Sequence, residues 1–424
     1  MSDKETLKLL SASENVHLPT GYAVVMDNLL QRLNAKGWEI HHMAWQHHGR
    51  DYEYVYPSGP YKGSKIVQLA AGRPNSNMYS PTFPEYLPGT LKQLKPNVMF
   101  SLIDIWFTPG MVGYTNEAGV PYVNYFPVDG DPFFRQWLET VKNSHTPLAM
   151  SKYGRDVVHD CVKAHGRGGW KHHCELDVLY HGVDTSIFRP MKDTERQSLK
   201  QEYFPKNPDT FCVGVVGKNA DRKQHPRVIE AFAQFAKGKK DVALMMKVGD
   251  PSNAELLGHD IYDAANHYGV EDKVVLLDDR NDMVSGVTVD RLAAFYGMFD
   301  VLASSTSGEG FGLTTLEAMA CGTPVVITDY TTSAELVGEK EERGWLPPIV
   351  AKPLGDWNVG RGLVDTDKMA ACFQEAYDNP SEVKKRGDAG FRFAKTMDWD
   401  IIAEQLNGIL RKAANEPGQV FRGD

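Results

Sequence analysis

Two glutamates, Glu309 and Glu317, stand eight residues apart in the run SGEGFGLTTLEAMACGTPVV at 307–326. Glycines lead into a stretch where Leu313, Leu316 and Ala320 share one side of a helix, Gly322 ends it, and 324–327 reads as a buried strand. A glycine-rich loop that opens a helix aims backbone N–H groups and the positive end of the helix dipole at whatever the loop holds. That is a diphosphate site in outline, with carboxylates at two depths. Thr314 to Glu317 also fits a capping box, in which Glu317 only ties off backbone donors. Glu309 has no helix to cap, and a carboxylate between glycines loses solvation if a ligand closes over it. Two carboxylates flanking an anion site suit a ligand with a phosphate centre and hydroxyls at both ends.

A second cluster carries the opposite charge. Lys218, Arg222 and Lys223 lie in GKNADRKQ at 217–224, between an apolar strand at 211–216 and a helix expected at 226–237. A loop at the C-terminal end of a strand is where open α/β sheets bind ligands. The Gly-Lys-Ser/Thr ending of a phosphate-binding Walker loop is missing. A merely solvated basic loop is the plain alternative.

Strands and helices alternate along the chain, as in parallel α/β domains. Strands are expected at 7–10, 65–69, 98–102, 121–125 and 148–150, with a helix carrying Met26, Leu29, Leu30 and Leu33. Later strands are expected at 243–248, 273–277 and 300–303, and helices at 291–298 and 401–411. A length of 424 residues suits two domains better than one core.

The 307–326 run resembles the retaining glycosyltransferases of family 4, whose pattern is E-x7-E within EGFGL-x-x-LEAMA-x-G-x-PVV. The resemblance is close over 211–337 and implies a GT-B fold of two facing doubly wound domains. It implies an acceptor domain at 1–195, a donor domain at 196–398, and a helix at 399–424 that returns to the first domain. The donor is then a nucleotide sugar, with a UDP-sugar expected as co-substrate and no other cofactor. In such enzymes the glutamate at Glu309 touches the sugar and that at Glu317 holds the ribose hydroxyls. Gly310, Phe311, Gly312 and Leu313 cradle the diphosphate, which an arginine and a lysine neutralise. Lys223 falls on the lysine position. Lys218 stands where an arginine is usual and Arg222 is an additional cation, which leaves the division of labour between them open. The loop at 278–282 is where the family seats the base. The resemblance further implies retention of configuration and no metal, and the chain lacks an Asp-x-Asp motif.

The first domain departs from the pattern. Leu18-Pro-Thr-Gly21 replaces a loop with two adjacent glycines; Gly21 keeps the close backbone approach, and Thr20 is either a donor contact or a helix N-cap. Where the family often has a histidine near the sugar, this chain has Pro127-Val-Asp-Gly130. Asp129 is the candidate for that role, or an ordinary Asp-Gly turn. Asp104 and Trp106 are candidates for the acceptor cleft, with a core tryptophan as the simpler reading of Trp106.

Net charge of −9 gives no global attraction to nucleic acid or anionic lipid, and 42% hydrophobic with 24% charged residues describes a globular chain. The polar first residues and the lack of a long apolar run suggest a cytoplasmic protein without integral membrane contact. Five scattered cysteines do not form a disulfide framework. His41, His42, His47, His48, Cys161, His165, His172, His173 and Cys174 show no known zinc spacing, so no metal is expected. Lys152, Arg155, Lys163, Arg167 and Lys171, around Gly166-Arg-Gly-Gly-Trp170, form a basic loop able to contact nucleic acid, or a solvated surface. The loop at 357–361 is longer than the family needs. Three readings follow: a transferase acting on a glycan, lipid-linked or small-molecule hydroxyl; a DNA-modifying transferase acting on a hydroxymethylated pyrimidine, reminiscent of phage enzymes; and a transferase-like binding protein without turnover.

Overall fold

A computed structural model of the chain describes residues 6–72, 83–165, 176–249, 251–252, 258–277 and 287–416. They fold into two compact units: Met1–Val128 with Phe133–His181 and Trp399–Asp424 in the first, and Asp129–Pro132 with Gly182–Asp398 in the second.

The first unit is built on an eight-stranded sheet in the order β3-β4-β2-β1-β5-β6-β7-β8. Its strands are β1 Lys8–Glu14, β2 Glu39–Trp45, β3 Tyr52–Val55, β4 Lys65–Ala70, β5 Val98–Leu102, β6 Tyr122–Phe126, β7 Thr146–Ala149 and β8 Asp177–Val178. All pairings are parallel except that of β3 with β4. Strand order reverses between β1 and β5, which opens a crevice at their C-terminal ends. Across it the Tyr22 hydroxyl donates to the Asp104 carboxylate at 2.7 Å and Ser13 Oγ to the Leu102 carbonyl at 2.6 Å.

Strand β2 is absent from the sequence-based expectation because its two histidines break the apolar pattern. Both are locally satisfied. Buried His42 lies 2.9 Å from Ser11 Oγ and 3.0 Å from the Glu14 carbonyl, and burial holds its pKa down at about 4. His41 meets the Glu39 carboxylate at 2.8 Å. The helix Trp399–Asn415 packs in this unit, where Asn407 accepts a 3.0 Å bond from the buried indole of Trp38 and Asp400 pairs with Arg32 at 2.7 Å.

The second unit has a six-stranded parallel sheet in the order β11-β10-β9-β12-β13-β14. The strands are β9 Phe211–Val216, β10 Val242–Lys247, β11 Val274–Leu276, β12 Val301–Ser304, β13 Val325–Ile327 and β14 Gly344–Trp345, followed by a small hairpin of β15 Ile349–Ala351 and β16 Leu363–Val364. The helix His225–Ala236 buries Val228, Ile229, Phe232 and Phe235 in a core shared with β9, β10 and β12. Order reverses between β9 and β12. The loops after these two neighbouring strands therefore diverge around one crevice, and they are the cation loop and the glycine-rich loop.

The main run of the second unit begins at Gly182, upstream of the boundary expected near 195. The reason is packing: the Phe188 ring lies tilted 6.1 Å from that of Tyr296, and the helix Asp193–Tyr203 sends Arg196 and Lys200 to the Asp300 carboxylate, each at 2.8 Å. Asp300 also accepts from the Cys212 amide at 2.8 Å. Removing Asp300 strands the buried ammonium of Lys200. Asp300→Ala is expected to cost about 3 kcal/mol in urea unfolding, since breaking a buried pair leaves an uncompensated charge. A loss below about 1 kcal/mol contradicts this anchoring role.

Candidate functional site

The two loops meet through charge. Glu309 Oε1 lies 2.5 Å from Lys223 Nζ, and Oε2 lies 3.0 Å from Arg222 Nη1. Burial alone raises the Glu309 pKa, but Arg222 and Lys223 outweigh it and hold the carboxyl at about 2, so it is ionised. Burial, with Arg222 alongside, lowers Lys223 against the pull of Glu309. The glutamate and the lysine are each only 18% exposed.

Side chains from after β12 fix the cation loop. Ser307 Oγ donates to the Arg222 carbonyl at 3.0 Å, and Ser305 Oγ sits 3.1 Å from the Lys223 carbonyl and 2.7 Å from that of Gln224. Arg222 Nη1 in turn donates to the Gly308 carbonyl. The Glu309 amide donates to Thr331 Oγ1 at 3.0 Å, and Thr332 Oγ1 donates to the Phe311 carbonyl at 2.7 Å. Gly310, Phe311 and Gly312 then turn into the helix Leu313–Ala320. Gly312 is at φ 105° and no side chain caps the helix, so its first-turn amides open towards the loop that carries Glu309.

Glu317 is not part of a capping box. Its Oε2 accepts a 2.7 Å hydrogen bond from the Tyr296 hydroxyl, and that tyrosine is fully buried. Burial pushes the Glu317 carboxyl up to about 7, a rise the Tyr296 bond only partly offsets. Two glutamates on one short segment thus have opposite environments: Glu309 is held by cations, Glu317 by one neutral donor. Sequence inspection missed Tyr296, whose aromatic type in a helical stretch signals only core.

Asp129 belongs to the second unit rather than the first, because its surroundings lie there. Its Oδ2 is 3.8 Å from Arg222 Nε and 2.9 Å from Arg361 Nη1. Its carbonyl presses so closely on Gly308 that a Cβ there would lie 1.9 Å away. Asp129 thus has tertiary partners that an ordinary Asp-Gly turn does not require, and the loop around 357–361 acquires a physical role through Arg361. Lys218, by contrast, is exposed, and among the described residues the ion pairs to Glu309 come from Arg222 and Lys223.

In the first unit Thr20 is the N-cap of the helix Gly21–Ala35, accepting from the Ala23 amide at 3.3 Å, and Gly21 is its first residue. Trp106 is not a core side chain: it is 37% exposed, with its ring 5.6 Å from that of Trp137. The basic stretch from Lys152 is a helix, Lys152–His165, rather than a loop, and Arg155 and Lys163 pair with Asp156 and Asp160, each at 2.9 Å. Arg167, Lys171, His172, His173, Cys174 and the 278–282 loop lie outside the described residues. Among the described residues no group of three or more His, Cys, Asp or Glu is placed to hold a metal, and no helix is long and apolar enough to cross a membrane.

Two doubly wound sheets, one with a glycine-rich loop and helix N-terminus facing a cation loop, define a GT-B fold. Residues 196–349 match the model of the family described as glycosyl transferases group 1. The D-inositol 3-phosphate glycosyltransferase of Segniliparus rotundus is 28% identical over 256 residues, covering 59% of this chain and 50% of the relative. The chain thus spans about half the length of the curated relatives it first matches. Sucrose-phosphate synthase from Thermosynechococcus elongatus superposes with a TM-score of 0.72 at 16% identity, covering 96% of this chain and 98% of the other. Anabaena HepE in complex with UDP and glucose gives 0.69 at 15% identity, covering 96% and 100%. At such identities these structures establish the fold.

The raised Glu317 carboxyl makes stability fall with pH. Its folded pKa, about 7, exceeds the ordinary value of 4.5, so its contribution is complete below that value and is lost as pH rises through about 7. A shift of this size corresponds to about 3 kcal/mol. Glu317→Gln is expected to remove most of that loss between about pH 5 and about pH 8 in denaturant titrations of the ligand-free protein. An unchanged pH dependence contradicts the assigned environment.

Proposed function

We propose that this protein is a glycosyltransferase that moves a sugar from a nucleotide-diphosphate sugar to an acceptor hydroxyl. The observation that carries the reading is the Glu309 carboxylate bound to Lys223 and Arg222 beside the uncapped start of the helix Leu313–Ala320. Fixed cations and backbone amides at one crevice suit a diphosphate, and a neighbouring carboxylate suits sugar hydroxyls. Glu317, deeper along the same helix, suits the ribose, whose two hydroxyls donate to an ionised carboxylate. A UDP-sugar is the donor this reading favours, supported by the structural likeness to HepE in complex with UDP and glucose.

In this reading Arg222, Lys223 and the helix amides stabilise charge as it builds on the departing diphosphate. Such preorganised electrostatics usually supply the largest catalytic contribution. The backbone that carries the two cations is fixed in advance, because Ser305 and Ser307 hold the cation loop by its carbonyls. Glu309 is in place to orient the sugar over the leaving group. Attack comes from the same face as departure, with retention of configuration, and the leaving phosphate oxygen takes the acceptor proton. Fixed cations supply the charge that a divalent ion supplies elsewhere.

Incubation of the full chain with a panel of nucleotide sugars and acceptors, followed by mass analysis of products, tests the reading directly; absence of transfer and of nucleotide release with every donor overturns it. Lys223→Ala is expected to lower turnover by about a hundredfold or more, as for loss of one oxyanion donor. Glu317→Ala is expected to weaken nucleotide binding by about tenfold or more while Glu309→Ala acts mainly on turnover. Near-parental kinetics in all three variants contradict the assigned site.

A further inference from the structure

The hairpin between β15 and β16 carries an arm that the donor-site reading does not use. It runs through Trp357 and Asn358, both in the left-handed region at φ 53° and φ 58°, a costly conformation for a bulky side chain. The turn returns the chain so that the Gly360 amide donates to the Asp131 carbonyl at 2.8 Å and the Gly362 amide to the Ser307 carbonyl at 3.0 Å. Between those anchors stands Arg361. Its Nη1 is 2.9 Å from Asp129 Oδ2 and donates to the Asp129 carbonyl at 3.1 Å.

The charges form one alternating chain: Lys223, Glu309, Arg222, Asp129, Arg361. Arg222 lies at its middle and is the cation for which two carboxylates compete. Asp129 is closer to Arg361 than to Arg222, at 2.9 Å against 3.8 Å. Without the guanidinium of Arg361, Arg222 is the cation of this chain within ion-pair distance of Asp129, with Lys223 acting on it from farther away, and a diphosphate has to compete with that carboxylate. An opposite charge that satisfies Asp129 from outside keeps Arg222 available.

We propose that Arg361 is a positioning residue of the donor site: it takes up the carboxylate and carbonyl of Asp129, and so reserves Arg222 for the donor's β-phosphate. This rests on the donor-site reading above, and it adds a residue and a loop that contact no reacting atom. It also gives the strained turn at 357–358 a purpose, since that turn delivers Arg361 to Asp129.

The test separates the two phosphates. Calorimetric titration with UDP, GDP and ADP, each against its monophosphate, measures how much the β-phosphate adds to binding. For the nucleotide that the parent protein binds best, Arg361→Gln is expected to lower the preference for diphosphate over monophosphate by about tenfold, with monophosphate affinity within about twofold of the parent. Arg361→Lys is expected to retain most of the preference. The double variant Asp129→Asn with Arg361→Gln is expected to recover it, because the competing charge is gone; a purely structural arm predicts no such recovery. Thermal melting checks that each variant is folded. A preference unchanged in Arg361→Gln, or not recovered in the double variant, overturns the inference while leaving the donor reading intact. A parent protein without any preference for a diphosphate overturns both.

Discussion

The pairing of Glu309 with Lys223 and Arg222 is the interaction around which the crevice of the second unit is arranged. Glu309 and Lys223, each 18% exposed, and the more exposed Arg222 are stable together because each charge is met at hydrogen-bond distance, and such a cluster is costly to leave half complete. Its demands explain the neighbouring sequence. The serines after β12 hold the carbonyls of the cation loop, Thr331 receives the Glu309 amide, and Gly308 leaves room for the Asp129 carbonyl. Each of these contacts fixes a charged group without adding another charge.

The fold makes that arrangement possible. A reversal of strand order between β9 and β12 brings together loops separated by more than eighty residues of chain, as the 86-residue separation of Lys223 and Glu309 shows. The helix that follows the second loop points its dipole into the same space, so backbone and side chains present positive charge from two directions. Glu317 shows the opposite use of burial. One neutral hydroxyl leaves its proton affinity high, and a ligand offering two hydroxyl donors compensates the carboxylate far better than Tyr296 alone.

Much of the second unit was legible in the sequence because its strands are continuous apolar runs and its site is local to two loops. The edges of β9 at 211–216 coincide with expectation, and the glycine-rich run identified the helix at 313–320. Features that depend on tertiary pairing were not legible. Strand β2 is disguised by two histidines, one of them, His42, partnered from β1, and Tyr296 looks like any core aromatic until Glu317 is placed beside it. Arg361 lies 232 residues from Asp129, and no local pattern joins them. The unit of Asp129 was not legible for the same reason: its strand-end position suggested the first unit, while it falls in the second, where Arg361 pairs with it.

The central claim, that these glutamates and cations form one cradle for a nucleotide-diphosphate sugar, is tested most directly by a crystal structure of the protein with a bound nucleotide sugar. The account predicts the diphosphate at residues 310–313, in contact with Lys223 and Arg222, with the ribose hydroxyls on Glu317 and the sugar on Glu309. A nucleotide bound elsewhere, with the Glu309 ion pairs undisturbed and Glu317 still bonded only to Tyr296, contradicts it.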